Sequence, residues 1–246
     1  MSHDSFQIQK GHFYALGVGP GSPDLLTLRA VDVIRNSGVI LCPRSAVSRD
    51  SLALEIIRDH IFDQEIIEHV YPMQRSETKV RESWLRASEI IAFHCLRGRT
   101  VAQVTLGDPH IYSTCAYVLP VIEKALGPGR THIIPGITAF QSCAANFTQS
   151  LTTQEDRLTL MPGTDMAEVE KAIGGCETLV LYKTGRKLQQ LFDLLKRQGL
   201  ERHARVVFNS GMPGKEKIYQ DLEQALEDEP GYLACVLIYT GRRKWD

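Results

Sequence analysis

Leu106-Gly107-Asp108-Pro109-His110-Ile111-Tyr112-Ser113-Thr114 is the stretch on which the fold turns. Ahead of it runs Thr100-Val101-Ala102-Gln103-Val104-Thr105, apolar and β-branched enough for a buried strand. Behind it, Tyr112 to Leu126 carries apolar residues at helical spacing. Asp108 has the chemistry of an N-cap, because its carboxylate can accept the free amide hydrogens of a first turn. Pro109 suits the first helical position, where a missing amide hydrogen costs nothing. The expected unit is strand, glycine turn, helix start, a corner at which bare N–H groups face a ligand. Taken alone, Asp108-Pro109 could equally be a plain helix cap; repetition of the pattern decides between the two.

The pattern occurs twice more. Phe13 to Val18 reads as a strand, followed by Gly19-Pro20-Gly21-Ser22-Pro23-Asp24 and then by Leu25, Leu26, Leu28, Val31 and Ile34 at helical spacing. Ser22 is expected to cap that helix, with Pro23 in its first turn. Thr131 to Ile134 is a third strand, and Pro135-Gly136-Ile137-Thr138-Ala139 opens a third helix. The familiar phosphate loops do not fit. GxGxxG would need glycine where Ser22 stands, and the GK[ST] of a Walker loop is absent.

Between these corners, Gly38 to Pro43 and Glu65 to Val70 read as strands, Ser51 to Ile61 and Thr78 to Arg97 as helices, and Arg44 falls in a polar loop. Gly127-Pro128-Gly129 breaks the chain, so two domains are expected, 1–127 and 128–246. The second half alternates short strands with helices at Met166 to Ile173, Leu188 to Gln198 and Asp221 to Glu227. Its Gly211-Met212-Pro213-Gly214 turn implies an antiparallel pair within a mixed sheet. The fold class is therefore α/β with two α/β domains.

Composition narrows the chemistry. The 246 residues are 43% apolar and 23% charged, with a formal net charge of −1, so no global field draws in nucleic acid. No apolar run approaches the ~20 residues of a membrane helix. The six cysteines are scattered without a CxxC pair, and most lie in apolar segments. Buried thiols in a reduced, cytoplasmic protein are the expectation. No HExxH, CxxC or dense His/Asp cluster suggests a metal site, and no GxSxG elbow presents a nucleophile. What remains is a set of glycine-rich turns suited to cradling a small polar ligand.

Three motifs together resemble the tetrapyrrole methylases, a family of S-adenosylmethionine-dependent enzymes: Gly17-Val18-Gly19-Pro20-Gly21-Ser22-Pro23-Asp24-Leu25-Leu26-Thr27-Leu28, the Leu106–Thr114 stretch, and Pro135-Gly136-Ile137-Thr138-Ala139. Tyr71-Pro72-Met73, Lys183-Thr184-Gly185-Arg186 and Ser210-Gly211-Met212-Pro213 are most similar to members that methylate C20 of precorrin-2, metal-free or cobalt-bearing, in cobalamin biosynthesis. Leu106 departs from the Gly-Gly-Asp-Pro of the branch-point uroporphyrinogen methylase.

The resemblance implies a cofactor cleft between two domains, a homodimer, and S-adenosylhomocysteine as product. The N-terminal domain would supply the substrate trough and the cofactor loop, and the C-terminal domain the adenosine side and dimer contacts. Leu106, Gly107, Asp108 and Ile111 would line the methionine end of the cofactor, with Thr138 and Ala139 at a helix start. Tyr182 and Lys183 would border the adenosine, and Phe208, Asn209, Leu233 and Ala234 would add later contacts. Pro20 would face the tetrapyrrole. Arg44, Arg49, Arg75, Lys183, Arg186 and Lys215 are the candidate partners of the substrate's carboxylates. His110 and Tyr112 are either helpers in proton loss or helix-start packing. Two other readings compete: a family enzyme acting on another corrin carbon, and a nucleotide-binding module without catalysis.

Overall fold

The computed structural model describes residues 6–45, 51–72, 77–228 and 233–242. The chain divides into two compact units, Met1–Thr138 and Ala139–Asp246. In the first unit, β1 (Phe13–Gly17), β2 (Val39–Ser45), β3 (Glu65–Tyr71), β4 (Val101–Thr105) and β5 (Thr131–Ile134) form a parallel sheet in the order β3-β2-β4-β1-β5. Between them run α1 (Leu28–Asn36), α2 (Leu52–Ile57), α3 (Glu77–Leu96) and α4 (Cys115–Leu126).

The central strands β1 and β4 are buried throughout because both faces of the sheet are covered. Tyr14, Leu16, Ile40, Ala102 and Val104 meet Val33 and Ile34 of α1 and Ile56 and Ile57 of α2. Phe13, Ala15, Val39, Leu41 and Val101 meet Ile91 of α3 and Val118 and Ile122 of α4 on the other side. So the chain leaves β1 towards one face and leaves the adjacent β4 towards the other. The carboxyl ends of β1 and β4 therefore form a topological switch point, the place where parallel sheets bind ligands.

The helix expected to open at Ser22 starts later. Pro23–Leu25 make a single 3-10 turn, and Thr27 caps α1 by accepting the Ala30 amide at 3.2 Å. The Ser22 hydroxyl donates to the Asp24 carboxylate instead of serving the helix. The break expected after Gly127 also shifts. Gly127 does end α4, at a φ of 82°. Beyond it, however, β5 pairs with β1 from Phe13–Thr131 to Leu16–Ile134, so the first unit keeps that strand.

The second unit begins with α5 (Ala139–Ala144), followed by β6 (Leu158–Pro162), α6 (Met166–Ile173), β7 (Thr178–Tyr182), α7 (Leu188–Arg197), β8 (Ala204–Phe208), β9 (Lys217–Tyr219), α8 (Leu222–Ala225) and β10 (Ala234–Tyr239). Its sheet runs β6-β7-β10-β8-β9 and is mixed, as expected. β6 and β7 are parallel, β10 is antiparallel to both β7 and β8, and β8 turns back into β9. One face packs on α6, α7 and α8 through Val169, Leu191, Leu195 and Leu222, and the other on α5 through Cys143. No helix among the described residues is long and apolar enough to cross a membrane.

All six cysteines are free and buried. Burial pushes the thiols of Cys42, Cys95 and Cys115 up to about 12, so they stay protonated and unreactive near neutral pH. Ellman's reagent at pH 8 should therefore react slowly with the native protein and titrate six thiols once it is denatured. A fast-reacting thiol in the native state would contradict this packing.

Candidate active site

In the first unit the site is built where β1, β4 and β5 end together. Their backbones touch. A Cβ on Gly17 would stand 2.5 Å from the Gly107 carbonyl oxygen and 2.6 Å from the Gly136 nitrogen, and one on Gly136 would collide with that same carbonyl. Only glycine fits at either position. The Gly107 amide donates to the Gly19 carbonyl at 2.7 Å, joining the β1 and β4 loops.

Asp108 does not cap a helix. α4 begins at Cys115, with Thr114 at its N-cap position, and Asp108 lies well ahead in the loop. Its carboxylate accepts the His110 amide at 2.8 Å through Oδ1 and the Gly136 amide at 3.1 Å through Oδ2. Asp108 thus ties the β4 loop to itself and to the turn after β5. Pro109 is likewise a loop residue rather than the first residue of α4. The partner that diverts Asp108 is distant in sequence, which is why local spacing suggested a cap.

Most of the other expected residues of this unit lie on the loops that follow β1, β4 and β5. Leu106 is half-buried and packs on the α1/α2 side, Gly107 and Pro20 are buried, and Ile111 is half-buried. Thr138 is buried at the end of the unit. His110 is exposed, and Tyr112 is 45% exposed. Tyr112 holds a φ of 51°, a left-handed conformation costly for an aromatic side chain. Arg44 is a strand residue near the end of β2, not a loop residue, and its Nε lies 3.4 Å from Glu68 on β3. Arg49 and Arg75 lie outside the described residues.

In the second unit the expected residues gather on one edge. β7 and β8 end where β10 begins, with Cys235 opposite Tyr182 and Ala234 opposite Phe208. The Asn209 amide donates to the Leu233 carbonyl at 2.8 Å. The Tyr182 hydroxyl accepts the Phe140 amide at 2.8 Å, bringing the start of α5, and so Ala139, to the same edge. Lys183 and Asn209 follow directly on their strands with φ of 59° and 51°. Left-handed backbone at non-glycine residues gathers at functional sites, because the surrounding structure must hold it. Arg186 is exposed in the 3-10 turn after β7. Lys215 is exposed between β8 and β9, where its carbonyl accepts the Asn209 side-chain amide at 3.2 Å.

Two residues beside this edge escaped the sequence reading. Thr184 Oγ1 and Ser210 Oγ are buried hydroxyls with no hydrogen-bond partner. Each immediately follows a left-handed residue, Lys183 or Asn209. The signal available was their place in Lys183-Thr184-Gly185-Arg186 and Ser210-Gly211-Met212-Pro213.

Comparison with known proteins gives this arrangement a family. A sequence profile of the tetrapyrrole (corrin/porphyrin) methylases matches residues 12–227. The chain belongs to that family. A cobalt-precorrin-2 C(20)-methyltransferase of Salmonella typhimurium is 28% identical over 239 residues, spanning 96% of this methylase and 98% of the relative. Among solved structures, a cobalt precorrin-4 methyltransferase shares the fold with a TM-score of 0.70 at 19% identity, over 93% of this chain and 95% of that one. The uroporphyrin-III C-methyltransferase of Thermus thermophilus, solved with S-adenosyl homocysteine, gives 0.63 at 19% identity, over 93% and 97%. This methylase is a methyltransferase that draws its methyl group from S-adenosylmethionine.

The residues present fit such a donor. Its ribose, amino and carboxylate groups need many hydrogen bonds. The first unit offers glycine-opened backbone, and the second, by itself, left-handed corners and the unpartnered hydroxyls of Thr184 and Ser210. Removing the Asp108 carboxylate should free the β4 loop from the β5 turn. Hydrogen bonds to charged groups contribute about 1.5–3 kcal/mol, so Asp108→Ala is expected to lower S-adenosylhomocysteine affinity by about tenfold or more in calorimetry. Lys183→Gly, which relieves left-handed strain, should keep or raise the melting temperature while weakening the same binding.

Proposed function

We propose that this methylase transfers the methyl group of S-adenosylmethionine to C20 of precorrin-2 or cobalt-precorrin-2, as a step of cobalamin biosynthesis. The observation that carries the reading is the near end-to-end match to the Salmonella typhimurium cobalt-precorrin-2 C(20)-methyltransferase, 98% of whose length is covered. Tyr71-Pro72, Lys183-Thr184-Gly185-Arg186 and Ser210-Gly211-Met212-Pro213 support it, since they sit at or beside strand ends. The cytoplasm is the compartment proposed, supported by six free thiols, and the working form proposed is a homodimer.

The donor supplies an electrophilic methyl on a sulfonium, and the C20 bridge carbon of the macrocycle is electron-rich enough to attack it. The chain's residues then need only bind, orient and exclude water. We assign Leu106, Gly107, Asp108, Ile111 and Thr138 to the methionine end of the donor. Ala139, Tyr182, Lys183, Phe208, Asn209, Leu233 and Ala234 take its adenosine end, the last six being contiguous on one sheet edge. Pro20, Arg44, Arg49, Arg75, Arg186 and Lys215 are assigned to the substrate, the basic ones as partners for its carboxylates. No strong base is required, because C20 loses its proton only after the new bond forms. His110 and Tyr112 are the side chains assigned to help that proton leave.

The test is incubation with S-adenosylmethionine and precorrin-2, with and without cobalt, followed by NMR mapping of the new methyl group. A methyl at another carbon would replace this reading by a different member of the family. Arg44→Ala and Arg186→Ala should each raise the substrate KM without changing cofactor affinity. An unchanged KM in both would remove the carboxylate-clamp assignment.

A further inference from the structure

A buried polar group beneath the Leu106–Thr114 loop has no part in the chemistry described so far. Gln103 sits in the middle of β4 and is 1% exposed. It points to the α3/α4 face, alternating with Ala102 and Val104 on the other. Its Nε2 donates to the Tyr71 hydroxyl at 3.1 Å. Tyr71 is the last residue of β3, and in the register Gln103 pairs with Leu41 of β2, which pairs in turn with Ile67 of β3. The tyrosine therefore reaches across β2 to touch β4. The Thr114 side chain, at the N-cap position of α4, also hydrogen-bonds the Tyr71 hydroxyl. Next to it, Thr105 and Ser113 share a hydroxyl hydrogen bond of 3.0 Å, and Ser113 Oγ accepts the Cys115 amide at 3.1 Å. Both ends of the loop are thus held by side chains under it.

Stability alone does not explain this arrangement. Gln103 Oε1 is buried without a hydrogen-bond partner. A half-satisfied polar pair in a core is worse than an apolar pair of the same shape. Burial also raises the Tyr71 hydroxyl well above the usual range, so it remains a neutral donor and acceptor rather than a charge. The Tyr71 ring already packs edge-on against His69 at 4.7 Å, a contact that phenylalanine would keep. What the hydroxyl adds is a tie between β3, β4 and the start of α4.

We propose that Tyr71 is a positioning residue for methyl transfer, holding the Leu106–Thr114 loop in its reactive placement through Gln103 and Thr114. This rests on the assignment of the loop to the reaction site.

Two variants separate positioning from packing. Tyr71→Phe leaves Gln103 Nε2 buried and unpaired, and should lower the melting temperature. Tyr71→Phe combined with Gln103→Leu removes both polar partners and should restore it. Positioning predicts that amide hydrogen exchange over residues 106–114 is faster in both proteins, and stays fast in the double variant. It also predicts about a tenfold loss of kcat in both, with the KM for S-adenosylmethionine unchanged, the scale of effect that small misplacements of reacting groups produce. The proposal is overturned if the double variant recovers slow exchange and kcat together with its melting temperature. It is equally overturned if Tyr71→Phe leaves either exchange or kcat as in the wild type. Should the wild type not methylate precorrin-2, the reading of the substrate fails separately. Exchange over 106–114, which needs no substrate, then decides the role of Tyr71 alone.

Discussion

Everything at the first sheet's edge depends on three strand ends being able to touch. Neighbouring strands lie about 4.8 Å apart, and side chains ordinarily keep the loops that leave them from closing further. Here Gly17 and Gly136 carry no side chains where the Gly107 carbonyl approaches them, and the Asp108 carboxylate draws the Gly136 amide to the β4 loop. The loop that results is not a relaxed turn. It carries Tyr112 in a left-handed conformation that only surrounding contacts can maintain.

The second sheet reaches a comparable result by different means. Its edge gathers segments far apart in the chain because β10 inserts antiparallel between β7 and β8, placing its start against their ends. Lys183 and Asn209 turn the backbone sharply as it leaves those ends, and the hydroxyls that follow them are buried without partners. Strain and unmet hydrogen-bonding capacity both oppose folding. Their concentration beside one another, over an apolar interior that is fully packed, is the signature of a surface shaped for a ligand. Such rigid edges suit a reaction governed by orientation, in which the donor brings its own reactivity and the protein chooses which carbon receives the methyl group.

Much of the fold was legible because local patterns and the tertiary structure agree. The helix read at Met166 to Ile173 is α6 to the residue, since Asp165 caps it and its apolar residues face one side. The apolar, β-branched run Thr100 to Thr105 was read as a buried strand, and β4 is buried throughout. At Ser22 the competitor was local, the Asp24 carboxylate, whereas at Asp108 and Arg44 it was a long-range partner. Asp108 looked like a cap because its distant partner Gly136 is invisible to spacing. Arg44 looked like a loop residue because β3 pairs with β2 through Ser45 and so lengthens the strand. The sequence located the boundary only to the stretch from Gly127 to Ala145, because β5 joins β1 only in three dimensions. Thr184, Ser210 and the Tyr71–Gln103 tie could not be singled out, because what distinguishes them is the presence or absence of a neighbour.

The sequence by itself determined the strand–glycine–helix corners, the α/β class, the family motifs and the residue types available for catalysis, because all of these are written in spacing and chemistry along the chain. Only the tertiary structure decided which corners meet, what Asp108 holds, where the backbone is strained and which polar groups lie buried unpaired. Those properties belong to pairs of residues brought together by strand order, and strand order follows from how two layers of helices cover a sheet rather than from any local run of residues.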